Sequence, residues 1–275
     1  MSLVTFTAAQ FLRVLPRTRI SRAVGRLCEA ELPPPVSKAL VRAYARAYRI
    51  DLDEYAHPAG GYRSFDEFFT RELRPGQRTF VGEIASPSDG RIESIGEISP
   101  DTSLRVKGRL YRVEELVGDT EDAKRYAGGQ FAVIYLSPRD YHRVHAPVSG
   151  RIVRVRSLPG DLFPVNSIGE RHVPQLFSRN RRVAIVIDTE RLGRVTVVMV
   201  GAIIVGRITV RAVPGYDVPL GDHVIEPAMP VAQGEEIGTF HLGSTAIVFV
   251  EKGASPPWRR PVGPVRMGQS LVEGP

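Results

Sequence analysis

At 275 residues, with 43% hydrophobic and 24% charged side chains, the chain is a globular protein with a full core, neither disordered nor fibrous. Its single cysteine, Cys28, excludes an internal disulfide framework and a Cys-rich metal centre, and fits a reducing compartment. The net charge is +7, and the whole excess lies in the first fifty residues, where nine Lys/Arg stand against Glu29 and Glu31 alone. Such a leader seeks a polyanion, either nucleic acid or an anionic membrane face, and the rest of the chain is neutral.

In chain order, Thr5 to Leu15 has apolar residues at near-helical spacing and ends at Pro16. Ile20, Ala23, Val24 and Leu27 then form a stripe opposite Arg19, Arg22 and Arg26. That pattern fits an interfacial helix on anionic lipid, and equally an ordinary helix with solvated arginines. Residues 29–35 read as a linker, and Val36 to Ile50 as a helix with Leu40, Ala43, Tyr44 and Ala47 on one side. Ser64-Phe65-Asp66-Glu67 is a capping box opening a short helix through Leu73, stopped by Arg74-Pro75-Gly76. The first basic residue is Arg13 with no signal-type apolar core after it, so no secretory leader is expected. The longest apolar run, Val195 to Gly206, is too short for a membrane span and reads as two buried strands or one bent strand.

From about Ile84 the pattern becomes short β-branched runs broken by Gly and Pro: 91–98, 131–136, 150–155, 183–188, 194–200, 203–212 and 245–250. The expected fold is therefore α+β, a β-rich catalytic domain preceded by an N-terminal helical, membrane-associating segment. The expected divisions are 1–80 (helical), 81–252 (β-rich) and 253–275. The last is rich in Pro, Gly and Arg and reads as a loosely held tail.

Four stretches carry chemistry. Leu242-Gly243-Ser244-Thr245 is a tight turn running into an apolar strand; Gly243 has no Cβ, which leaves its carbonyl open to the neighbouring hydroxyl. Ser88-Asp89-Gly90 is an Asp-Gly turn before a strand. Tyr141-His142-Arg143-Val144-His145-Ala146-Pro147 brings two of the six histidines within three residues. Asp161-Leu162-Phe163-Pro164-Val165-Asn166 resembles a pocket-forming loop. The histidines lack the further ligands that structural zinc needs, so no metal is expected. An orienting carboxylate, an imidazole base and a hydroxyl nucleophile are what acyl attack by serine requires, and Asp89, His145 and Ser244 supply that set.

Taken together, Leu242 to Thr245, Tyr141 to Pro147 and Pro87 to Gly90 resemble the phosphatidylserine decarboxylases, the pyruvoyl-dependent enzymes of phosphatidylethanolamine synthesis, in their longer bacterial form. Residues 65–71, 161–166, 176–180 and 200–202 support the likeness, which covers about residues 10–252. The resemblance implies self-cleavage between Gly243 and Ser244, giving a β chain of residues 1–243 and an α chain of residues 244–275. Ser244 Oγ would attack the Gly243 carbonyl, with His145 as base and Asp89 orienting it. The resulting ester eliminates to dehydroalanine, which loses ammonia to leave a covalent pyruvoyl cofactor derived from Ser244. A Schiff base from that ketone to phosphatidylserine would then release CO2. His142 is implied to act in decarboxylation, Phe163 and Asn166 to line the head-group pocket, and Arg179 to meet the lipid phosphate.

With the family in view, the basic leader becomes a peripheral contact with an anionic phospholipid membrane, at the cytoplasmic face of the inner membrane. A homodimer of the αβ unit is compatible with the pattern; a nucleic-acid partner is not, because the body lacks interleaved basic and aromatic residues. Two other readings stay open at this point. One is a serine hydrolase that keeps Asp89, His145 and Ser244 as a triad without self-cleavage, although no Gly-x-Ser-x-Gly elbow is present. The other is a non-catalytic membrane-binding β module.

Overall fold

The structure, a computed structural model, describes residues 17–165, 172–203, 207–242, 244–253 and 255–272. The helix expected over Thr5 to Leu15 lies outside these residues. Two helices open the described chain, α1 (Arg17–Glu29) and α2 (Pro34–Tyr48), followed by the short α3 (Phe65–Phe69). The capping box at α3 forms as read, Glu67 N–H donating to Ser64 Oγ at 3.1 Å, but the helix stops after one turn. On α2 the buried face is Ser37, Val41 and Ala45, rotated from the expected one, and Leu40 faces outward.

The body is built on an eight-stranded antiparallel sheet. Its members are β1 (Gly90–Glu97), β4 (Gln130–Leu136), β6 (Gly150–Leu158), β7 (Arg182–Asp188), β8 (Arg194–Val200), β10 (Gly221–Val231), β12 (Ser244–Val250) and β13 (Gly263–Val265). They lie in the order β10-β6-β7-β8-β12-β4-β1-β13. A second sheet joins β5 (Arg143–His145), β11 (Glu236–His241) and β9 (Arg207–Val210), and β2 (Ser103–Val106) pairs with β3 (Arg109–Arg112) as a hairpin. Three more short helices, α4 (Val113–Val117), α5 (Thr120–Arg125) and α6 (Leu176–Arg179), and a 3-10 turn at Leu52–Glu54 complete the described elements.

The strands β4, β7, β8 and β12 are apolar at nearly every position because both faces of the sheet are covered. Side chains alternate along a strand, so Thr196 and Met199 of β8 point to opposite faces. Thr196 Oγ1 meets the Tyr126 hydroxyl, just past α5, at 2.6 Å. On the other face β11 presses against Met199 at Gly238, where a Cβ would sit 2.7 Å from the sulfur. That close approach is why this strand carries a glycine at its centre. A buried carboxylate, Asp122, ties the sheet to α5 through Arg156 at 2.5 Å and through Arg194.

The C-terminal stretch corrects the expectation of a loose tail. β13 pairs with β1, Trp258 and Leu271 are buried, and Leu271 N–H donates to Ile84 O at 3.0 Å. Arg260 is buried too, its guanidinium on the Ser270 carbonyl at 3.0 Å. The segment has the composition of disorder, but Trp258, Val265, Met267 and Leu271 are buried in the body, and their spacing has no period to detect. Among the described residues, no helix is long and apolar enough to cross a membrane.

Candidate active site

The turn from β11 to β12 carries the Leu242-Gly243-Ser244 sequence. Gly243 lies outside the described residues, and of Ser244 the backbone alone is described, paired with Leu136 at the end of β4. Leu242 is buried and has φ of +85°. A bulky L-residue adopts that region only where its surroundings force it, at a cost of about 1–3 kcal/mol. The strain sits one residue before the Gly243–Ser244 bond. Leu242 also lies on the wall between two cavities. One, of about 360 Å3, is apolar and reaches to α1 and α2 through Val24, Cys28, Tyr44 and Tyr48. The other, of about 320 Å3, is polar and holds Asp66, Arg207 and His241.

Asp89 stands at the same end of the main sheet. Arg91 and Thr245 face Tyr135 of β4 from either side. The strands that begin beside Asp89 and Ser244 are therefore two strand spacings apart, roughly 10 Å. The segment after β4 supplies both histidines to this end. His145 N–H donates to the Pro87 carbonyl at 2.8 Å, and the His142 carbonyl accepts from Phe240 N–H at 2.9 Å. By register His142 is thus next to the approach to the turn, while His145 faces Glu236 at the far end of β11.

Each imidazole has a defined tautomer. His142 Nδ1–H donates to the Asp140 carbonyl at 2.8 Å, so Nε2 carries the lone pair, and it is buried without a partner among the described residues. Its ring lies 4.1 Å from that of Phe69. Burial, helped by the Arg71 charge, lowers its pKa to about 3, so it is neutral at pH 7. His145 Nδ1–H donates to Gly234 O at 2.8 Å, which leaves Nε2 to accept from the Tyr141 hydroxyl at 3.0 Å. Burial lowers this pKa as well. His145 opens on a third cavity, of about 380 Å3, with Arg74, Arg78, Arg143 and Glu236.

The expected hydrogen bond between Asp89 and His145 does not form. The Asp89 carboxylate is held by Arg78, at 3.1 and 2.5 Å, and by Met267 N–H at 2.8 Å, while His145 is oriented by a carbonyl. Phe163 is buried in the core, with the exposed Arg179 guanidinium 5.3 Å from its ring centre; its neighbours Pro164 and Val165 line the apolar cavity. Asn166 lies outside the described residues. Asn180, beside Arg179, fixes this loop: its amide bonds Phe163 N, Phe163 O and Gly201 O at 2.8–2.9 Å.

Sequence reading missed three contributors. His241, the residue before Leu242, bonds both Asp66 oxygens at 2.9 Å and approaches Arg207 at 2.6 Å. Its place beside the Leu-Gly-Ser-Thr turn was the available signal. Arg78 and Met267 gave none, since one follows a Pro-Gly turn and the other sits in the stretch read as a tail. His142 Nε2 and Thr245 Oγ1 are buried without a partner among the described residues, and the unpaired imidazole nitrogen suits a small polar acyl group at this end of the sheet.

A sequence model of the family described as phosphatidylserine decarboxylase matches residues 65–273. A phosphatidylserine decarboxylase proenzyme of Psychrobacter arcticus is 40% identical over 278 residues, covering 97% of this chain and 98% of its own. The proenzyme of that name from Anaeromyxobacter sp. is 41% identical over 271 residues, 94% and 95% of the two chains. That from Acinetobacter baumannii is 42% identical over 249 residues, 87% and 85%.

Proposed function

The chain belongs to the phosphatidylserine decarboxylase family and is a decarboxylase; on that premise we propose that it cleaves itself at Gly243–Ser244 and converts phosphatidylserine to phosphatidylethanolamine and CO2. The observation that carries the self-cleavage is the buried Leu242 at φ +85°, strain placed beside the bond to be broken. Ser244 Oγ attacks the Gly243 carbonyl carbon, the C–N bond breaks, and an ester replaces the amide. Loss of the Ser244 α-proton expels the Gly243 carboxylate, and hydrolysis of the resulting dehydroalanine takes up water and releases ammonia, leaving the keto-acyl terminus. When formed, the pyruvoyl group supplies a ketone that condenses with the substrate amine and accepts the electron pair left as CO2 departs.

The chain's own residues divide the work. His145 has its lone pair at Nε2 and takes the Ser244 proton there in exchange for the Tyr141 hydroxyl it accepts from at rest, with the Asp89 charge favouring the protonated imidazole. His142, neutral with its lone pair at a buried Nε2, serves the decarboxylation by accepting a proton there and then handing it on to the product. The apolar cavity beside Leu242 admits the lipid from the side of α1 and α2, and the protein binds peripherally at the cytoplasmic face of the inner membrane. A second assignment rests on the Phe240–His142 hydrogen bond, which makes His142 the imidazole next to the turn and therefore the processing base.

Intact mass and denaturing gels decide. Wild-type protein gives two chains, the smaller without an amine terminus and sensitive to hydroxylamine, and Ser244→Ala gives one. His142→Ala yields two chains and no CO2 under the first assignment, one chain under the second. A wild-type chain that stays whole overturns the proposal.

A further inference from the structure

Asp89 is fixed by groups that no self-cleavage scheme includes. Arg78 is almost wholly buried and donates to both Asp89 oxygens while its Nη2 also meets Glu54 at 2.9 Å. Planar two-point pairing fixes the orientation of a carboxylate as well as its charge. The remaining donor comes from the C-terminal segment: Met267 N–H reaches Asp89 Oδ1 at 2.8 Å. Arg266, one residue earlier, pairs with Glu54 at 3.0 Å and extends a chain of alternating charges, Asp89, Arg78, Glu54 and Arg266.

Met267 sits in a turn built to tight tolerance. Gln269 N–H bonds the Arg266 carbonyl at 3.1 Å, Gly268 N–H bonds Ser86 O at 3.0 Å, and Val81 N–H bonds Gly268 O at 2.8 Å. Gly268 has φ of +88°, and a Cβ there would lie 2.4 Å from the Thr79 carbonyl oxygen. Only glycine fits, so the turn is locked to the segment that leads into Asp89. The Met267 side chain, itself buried, packs with Tyr55 and Tyr141. Tyr141 is the residue whose hydroxyl occupies His145 Nε2. One residue of the C-terminal segment therefore touches Asp89 with its backbone and the His145 support with its side chain.

Resting on the assignment of Asp89 and His145 to self-cleavage, we infer that Arg78 and the Arg266–Gln269 turn form a seat that positions both groups for processing. The seat spans the two chains that processing creates, Arg78 and Asp89 on the large one and Met267 on the small one. It is complete only when residues beyond 257 have docked, so cleavage waits for the last part of the chain to fold. Arg78, Met267 and Tyr141 are positioning residues: they act through Asp89 and His145.

The test follows appearance of the small chain on denaturing gels after synthesis of the full-length proenzyme. Asp89→Asn and His145→Ala examine the underlying assignment; if both process at the wild-type rate, that assignment fails. With those two blocked, Arg78→Met is expected to slow processing about tenfold or more, as small misplacements of catalytic groups do. Arg78→Lys, which restores a cation without the two-point geometry, is expected to fall between. Folding is checked by the thermal midpoint of each substitution in the Ser244→Ala background. Processing of Arg78→Met at the wild-type rate, or Arg78→Lys no better than Arg78→Met, overturns the seat while leaving the assignment standing. If Arg78→Met does not fold, Gly268→Ala carries the test. It strains the turn that presents Met267 N–H to Asp89 and leaves Asp89, His145 and Tyr141 in place, for an expected slowing of about threefold or more; a wild-type rate there overturns the inference.

Discussion

A buried neutral histidine leaves a signature in stability. The His142 pKa drops from its ordinary value to about 3 chiefly because burial penalises the charged ring. The unfolded chain therefore binds a proton between about pH 6.5 and 3 that the folded chain refuses. Its contribution is fully present above pH 6.5 and is lost as pH falls through that window. Asp140, whose pKa burial raises, works in the opposite direction, so the raw pH curve mixes the two. Subtracting the curve of His142→Phe isolates the histidine. The wild type is expected to lose roughly 2 kcal/mol relative to that variant between pH 7 and pH 5, measured by urea unfolding in the Ser244→Ala background. Parallel curves would show that His142 can take a proton in the folded state. At this scale the sequence disclosed which residues bear chemistry, because Tyr141 to Pro147 and Leu242 to Thr245 cluster reactive types in short runs. It did not disclose their partners: Asp89 is claimed by Arg78 and His145 by a carbonyl, and such long-range contacts have no local pattern.

Elements with a clear period were legible and those without it were not. Strands β4, β7, β8 and β12 announced themselves as runs of β-branched residues, since both of their faces are buried. β10 was hidden by Pro227 and Pro230, tolerated because it is an edge strand. β11 was hidden by Gly238, needed for the approach to Met199. On α2 the amphipathic face was misplaced because the helix leaves large apolar groups outside. Leu40 is 40% exposed, Tyr48 42% and Val36 52%, and on α1 Leu27 is 72% exposed. The three on α2 share that helix with Lys38, Arg42 and Arg46, apolar groups interleaved with cations in a pattern suited to an anionic bilayer. Leu27→Glu with Leu40→Glu is expected to weaken sedimentation with phosphatidylserine-containing vesicles about tenfold or more while processing continues. Unchanged binding would remove these helices from the lipid contact.

For the molecule as a whole, the bond proposed for cleavage is placed so that breaking it costs little structure. It precedes β12, which lies inside the sheet with β4 on one side and β8 on the other, and β13 of the same fragment adds a second attachment through β1. Every one of those ladders survives the cut, so the two chains are expected to elute together in native buffer and to part only in denaturant. The proposed cleavage is expected to free Leu242 from its positive φ and relieve about 1–3 kcal/mol of strain. Against this, unfolding of the cut protein releases two chains where the uncut protein releases one, so its midpoint depends on mass action. The thermal midpoint of processed protein should therefore rise with protein concentration, and that of Ser244→Ala should not. A processed midpoint independent of concentration would mean that the small chain remains tied to the large one after unfolding, which a broken Gly243–Ser244 bond does not allow.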